Sequence, residues 1–87
     1  MEKRTFRSKR VTAEGVTLDY VLEKENENGR AVYTLIIMES GEEEDLVVLC
    51  DIAECESDAI RLFELFSSEL VTPCSAPYIM DDLLALI

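Results

Sequence analysis

Residues 16–38 read VTLDYVLEKENENGRAVYTLIIM, and this stretch decides the fold. From Val16 onward the residues alternate. Val16, Leu18, Tyr20 and Leu22 fall on one side, Thr17, Asp19, Val21 and Glu23 on the other, which is the period of a half-buried strand. Asn28-Gly29 is the dipeptide that most readily supplies the two positive φ angles of a two-residue type I′ hairpin turn. With that turn, Glu27 pairs with Arg30. Counting back sets Leu22 opposite Leu35, Tyr20 opposite Ile37, Val21 opposite Ile36 and Asp19 opposite Met38. Leu18, Tyr20, Leu22, Tyr33, Leu35 and Ile37 then share one apolar face. A slip of one residue would push Leu18, Tyr20 and Leu22 into water, so turn chemistry and hydrophobic pattern specify the same register.

On the N-terminal side, Thr5 to Val11 predicts a short edge strand, joined through Thr12-Ala-Glu-Gly15 with Gly15 in the left-handed position. Arg7 and Lys9 on that strand are expected within reach of Asp19 and Glu23, and cations on an edge also discourage sheet-to-sheet aggregation. On the C-terminal side, a polar loop from Glu39 to Asp45 leads to Leu46–Ala53, whose β-branched content reads as a further strand. The period changes at Ser57. Ala59, Leu62, Phe63, Phe66 and Leu70 recur at helical spacing, with Ser57 as N-cap and Asp58 at the positive end of the helix dipole, predicting a helix over 57–70. Pro73 breaks the pattern, and a second helix is expected from Ser75 as N-cap, with Pro77 in its first turn, through Ile79, Met80, Leu83, Leu84 and Ile87. Strands first and helices last predict an α+β domain covering 1–87: a three- or four-stranded antiparallel meander with two C-terminal helices packed on one face.

Composition narrows the function. The 87 residues carry 8 Lys plus Arg against 19 Asp plus Glu, a net charge of −11, with 48 % hydrophobic residues and no His. That apolar fraction is enough to fold, unlike an acidic disordered segment. The apolar runs Leu35–Met38 and Leu46–Cys50 are far short of the ~20 residues of a membrane-spanning helix. The basic start MEKRTFRSKRV runs into TAEGVTLDY and not into an apolar leader, so a cytoplasmic product is expected. Residues 1–10 hold five cations against Glu2, net +4, whereas residues 11–87 hold three cations and eighteen acids, net −15. A body of that sign repels the phosphate backbone, which argues against a nucleic-acid partner. The basic segment reads as neutralising acids within the fold.

Residues with chemistry of their own are few. Cys50, Cys55 and Cys74 lack the paired spacing of zinc ligands and have no His to complete a set. Cys55 and Cys74 flank a helix about 20 Å long and are not expected to bridge. Cys50 is expected as a small buried hydrophobe, and Cys55 sits between Glu54 and Glu56, which oppose thiolate formation. The run Glu42-Glu43-Glu44-Asp45 lacks the alternating ligands and central Gly of a calcium loop, and adjacent Asp81 and Asp82 diverge on a helix. There is no GxSxG motif and no phosphate-binding glycine loop. These observations point to no metal, no cofactor and no catalysis.

Asp51-Ile52 entering the first helix, and Val71-Thr72-Pro73 followed by Asp81-Asp82-Leu83-Leu84 in the second, resemble a family of short, acidic, uncharacterised bacterial proteins, chiefly from Firmicutes, classed as a domain of unknown function. Members often carry Tyr-Gly where this chain has Tyr33-Thr34. The resemblance implies a small α+β domain and no known activity.

The informative anomaly is the second face of the sheet, where Val21, Val32, Ile36 and Met38 are expected together with Val47 and Leu49 of the last strand. So apolar a face points to a protein contact, either a homodimer or an unidentified protein partner. The competing readings are an acidic regulator that mimics nucleic acid in the groove of a basic protein, and a thiol- or metal-dependent enzyme, which needs two of the cysteines to converge.

Overall fold

A computed structural model describes residues 3–42 and 44–85. Four strands, β1 (Lys3–Ala13), β2 (Val16–Glu27), β3 (Arg30–Ser40) and β4 (Asp45–Leu49), form an antiparallel sheet in the order β1-β2-β3-β4. Two helices follow, α1 (Glu56–Ser68) and α2 (Ala76–Ala85). The chain is thus an α+β meander. Ile87, expected to extend the second helix, lies outside the described residues.

The central hairpin has the register that its turn dictates: Glu27 faces Arg30, Leu22 faces Leu35, Val21 faces Ile36, Tyr20 faces Ile37 and Asp19 faces Met38. Asn28 and Gly29 take φ of 53° and 78°. Glu14 and Gly15 repeat that geometry at 52° and 80°, so the first connection is also a tight two-residue turn with both φ positive. The tighter turn makes β1 longer than the expected 5–11 and sets its register. Arg10 lies opposite Asp19 while Lys9 lies opposite Tyr20 and Arg7 opposite Leu22. The cation that meets Asp19 is therefore Arg10, whose Nε donates to Oδ1 at 2.7 Å, and not Arg7 or Lys9. Glu23 faces Thr5. A bulge between Thr5 and Arg7 turns Phe6 toward the core, where its ring meets Tyr33 edge-on at 6.5 Å. The Arg7 guanidinium lies 4.6 Å from the Phe6 ring centre, spending its charge there.

The last strand is shorter than the expected 46–53. After Leu35 pairs with Leu49, Asp51 adopts φ 51° and inserts one extra residue, so that the Ile52 N–H donates to Tyr33 O at 3.0 Å. Arg30 holds the Asp51 carboxylate at 2.9 Å, and Ile52 is turned into the core. The kink leaves Cys50 exposed, correcting the expectation of a buried thiol.

Helix α1 starts one residue before Ser57, with Cys55 as N-cap making no side-chain capping bond, and Glu56 and Asp58 in the first turn favour its dipole. Ala59, Phe63 and Phe66 drop onto the sheet, chiefly over β2. The helix ends in a Schellman arrangement: the Val71 N–H donates to Phe66 O at 3.0 Å and the Leu70 N–H to Ser67 O at 3.4 Å, with Leu70 at φ 53°. Val71 and Phe66, the apolar pair of that motif, are both buried. Helix α2 begins after Ser75, whose carbonyl accepts the Ile79 N–H at 3.1 Å, and it buries Ala76 and Met80. One bond ties the layers together: the Tyr20 hydroxyl donates to Val71 O at 2.9 Å across 51 residues of sequence. Burial pushes the Tyr20 phenol up to about 12, and the Glu39 charge adds to the shift.

Candidate interaction surface

Every buried apolar residue of the sheet lies on the side that meets the helices: Leu18, Tyr20 and Leu22 of β2 with Tyr33, Leu35 and Ile37 of β3. Directly paired residues of antiparallel strands point to the same face. Ile37 faces Val47 and Leu35 faces Leu49, so Val47 and Leu49 belong to the helix-covered face and pack against the core. This corrects their expected place on the opposite face. The β4 residues on that face are Leu46, opposite Met38, and Val48, opposite Ile36.

The open face is therefore laid out in rows across the strands. One row is Ser8, Val21, Ile36 and Val48, and the next is Arg10, Asp19, Met38 and Leu46. Val32 extends the apolar area along β3 beside Glu25. The face is graded: polar on β1, apolar on β3 and β4. Val21, Val32 and Ile36 are half-buried by their neighbours, while Met38 is 39 %, Val48 48 % and Leu46 57 % exposed. Among the described residues no element packs over them, and the Cα extents of 42 × 31 × 17 Å fit one sheet and one helical layer.

The apolar half of this face runs out to a bare strand edge. The Tyr33 carbonyl points toward the β4 side, where it takes the Ile52 N–H. Backbone groups alternate in direction along a strand, so Leu35 and Ile37 also point their N–H and C=O at β4, reaching Leu49 and Val47. The backbone groups of Leu46 and Val48 consequently point away from the sheet. The Leu46 N–H is held by its neighbour's carboxylate, Asp45 Oδ1, at 2.8 Å. Beside it lies a cleft of about 540 Å³, floored by Met38 and Leu46 and flanked by Asp19, Glu44 and Asp45. From residue 31 to residue 60 the chain contains no Lys or Arg.

The other candidate groups do not gather. Cys50, Cys55 and Cys74 are free and exposed, and the Cys55 Sγ lies 3.4 Å from the Ser57 hydroxyl. Among the described residues no three His, Cys, Asp or Glu side chains come together as a metal site. Glu42, Glu44 and Asp45 are exposed, Glu43 of that run lies outside the described residues, and Asp81 and Asp82 are exposed on α2. No helix is long and apolar enough to cross a membrane, among the described residues. The run LVVLC has no polar alternation to give its phase, which is why sequence reasoning missed Leu46 and Val48; the phase is set by the register that brings Glu39 opposite Asp45, which the loop sequence does not dictate. A scan against protein-family models matches none, and searches of curated proteins and of solved structures find no match.

Proposed function

We propose that this protein is a non-catalytic interaction module that self-associates through the open face of its sheet. The observation that carries the reading is that both helices contribute to one core on one side, leaving Val21, Ile36, Met38, Leu46 and Val48 contiguous on the other. Four strands about 4.8 Å apart, and seven residues of β3 rising about 3.3 Å each, outline roughly 400 Å² in projection. Each partner of a standard specific interface contributes about 800 Å² of accessible surface, so two such faces fall below that size and meet as a weak, transient contact. One self-complementary patch is enough for a two-fold dimer.

The acidic-mimic reading asks for one continuous acidic surface. The exposed carboxylates are instead spread over Glu27, Glu42, Glu44, the outer side of α1 and α2, while Arg4, Arg7, Lys9 and Arg10 line β1. This spread supports the apolar face as the contact. Light scattering across micromolar concentrations tests the reading. The expected result is a concentration-dependent dimer that tightens with added salt, because screening relieves repulsion between two chains of net charge −11. Val21→Lys and Ile36→Lys should each return it to monomer. A monomer throughout, or a dimer indifferent to both substitutions, would sink the proposal.

A further inference from the structure

We infer that the outer edge of β4 accepts an extended basic segment of a partner protein as a fifth strand. This contact is carried chiefly by backbone and charge, and it shares only the Leu46 and Val48 side chains with the face-to-face association above. Three features of the edge define its occupant. The outward N–H and C=O groups of Leu46 and Val48 are the hydrogen-bonding pattern that an added antiparallel strand satisfies. The exposed Leu46 and Val48 side chains offer apolar contact to alternate residues of that strand on the open face.

Charge completes the definition. Glu44 and Asp45 stand at the head of the edge beside the cleft over Met38 and Leu46, and no Lys or Arg occurs between residues 31 and 60. An incoming strand has to displace the Asp45 carboxylate from the Leu46 N–H, which it holds at 2.8 Å. A lysine or arginine on that strand gives the carboxylate a new partner while the strand's own carbonyl takes the amide. An acidic strand, or a second copy bringing its own Glu44 and Asp45, offers no such exchange. The occupant is thus an extended segment alternating apolar and basic residues.

The probe is a blocked seven-residue peptide of alternating lysine and valine, with a glutamate–valine peptide as its counterpart, titrated by heteronuclear NMR against the full chain. The lysine peptide is expected to shift the amides of Leu46 and Val48 first, and to bind several-fold more weakly when salt is raised well above the physiological range. Val48→Pro removes an outward N–H without touching the ladder to β3, and should weaken binding about tenfold. Asp45→Asn keeps the fold and removes the charge, and should also weaken it. Val21→Lys lies two strands away, about 10 Å from the edge, and should leave peptide binding intact even where it abolishes self-association. The inference fails if the glutamate peptide binds as well, if the Val48→Pro and Asp45→Asn chains bind unchanged, or if Val48→Pro but not Val48→Ala, which loses the side chain and keeps the N–H, lowers the molar mass of the protein alone, which would mean that two β4 edges pair with each other.

Discussion

The two edge strands of this sheet face the same hazard and meet it differently. Both β1 and β4 have one neighbour and therefore one row of backbone groups directed at solvent. The β1 edge carries Arg4, Arg7, Lys9 and Arg10, all exposed, and is broken by the bulge at Phe6. Cations and a bulge are the devices by which sheets discourage strand addition. The β4 edge has neither. It relies on brevity, five residues against eleven, and on one carboxylate, Asp45, folded back onto the Leu46 amide. Five of the chain's eight cations fall in its first ten residues, so the sheet is also polarised, basic at one edge and acidic at the other. Within one small sheet, one edge carries features that discourage an added strand and the other lacks them, which is the contrast the proposed fifth strand rests on.

The largest effect that sharpens this contrast comes from proline placed on adjacent β4 residues. Val47 directs its N–H at Ile37 and Val48 directs its N–H outward. Val47→Pro removes a ladder bond and drives the ring into β3, at a cost of about 3 kcal/mol, whereas Val48→Pro should cost well under 1 kcal/mol. Urea denaturation of the two variants checks the assignment. Equal destabilisation would mean that Val48 also directs its N–H at β3 and that the β4 edge is not open.

How much of this was legible in the sequence depends on where local signals end. Asn28-Gly29 fixed the β2·β3 register to the residue, because a two-residue turn leaves no slack and a slip would expose Tyr20 and Leu22. The helices were readable from their period, although the cap fell at Cys55 and not at Ser57. The β4 phase was not readable. Its residues are apolar on both faces, and the loop between Ser40 and Asp45 contains no dipeptide that dictates a turn. Pattern alone therefore places Val47 and Leu49 on the wrong face; in the structure the open face holds Val21, Val32, Ile36 and Met38 together with Leu46 and Val48. On β1, the partner of Asp19 shifted to Arg10 because the first turn is tighter than its sequence suggests, with Glu14 itself at positive φ.

Tyr20→Phe separates the anchoring of the sheet from the protection of its edges. Tyr20 lies on β2, fully buried, and its hydroxyl bond to Val71 O joins the sheet to the segment between the helices. Losing that bond leaves a buried carbonyl unpaired and should cost about 1–2 kcal/mol. It should also change the alkaline limb of stability. The folded phenol titrates at about 12, above the ordinary value near 10. The folded chain therefore holds its proton where the unfolded chain has lost it, so this contribution is complete below pH about 10 and is lost as pH rises through about 12. Tyr20→Phe should flatten the decline in that window while leaving peptide binding at β4 unchanged. A steeper decline, or lost binding, would tie the β4 edge to the Tyr20 anchor.

The smallest expected change in stability belongs to a reciprocal exchange of edge chemistry. Leu46→Lys puts a cation on the open edge at a residue already 57 % exposed, and Lys9→Val removes one from the guarded edge. Neither substitution creates a cavity or strands a buried polar group, so each should alter stability by no more than about 0.5 kcal/mol. Their effects on association should be opposite in sign. Leu46→Lys puts a cation on the open edge that repels a basic segment, so the chain should no longer take up the lysine–valine peptide. Lys9→Val leaves β1 with the Phe6 bulge and the remaining arginines, and slow, concentration-dependent association should emerge where the parent chain shows none at that edge. If Leu46→Lys bound the peptide as the parent does, backbone pairing alone would govern β4, and the charge polarity of the sheet would be incidental to recognition.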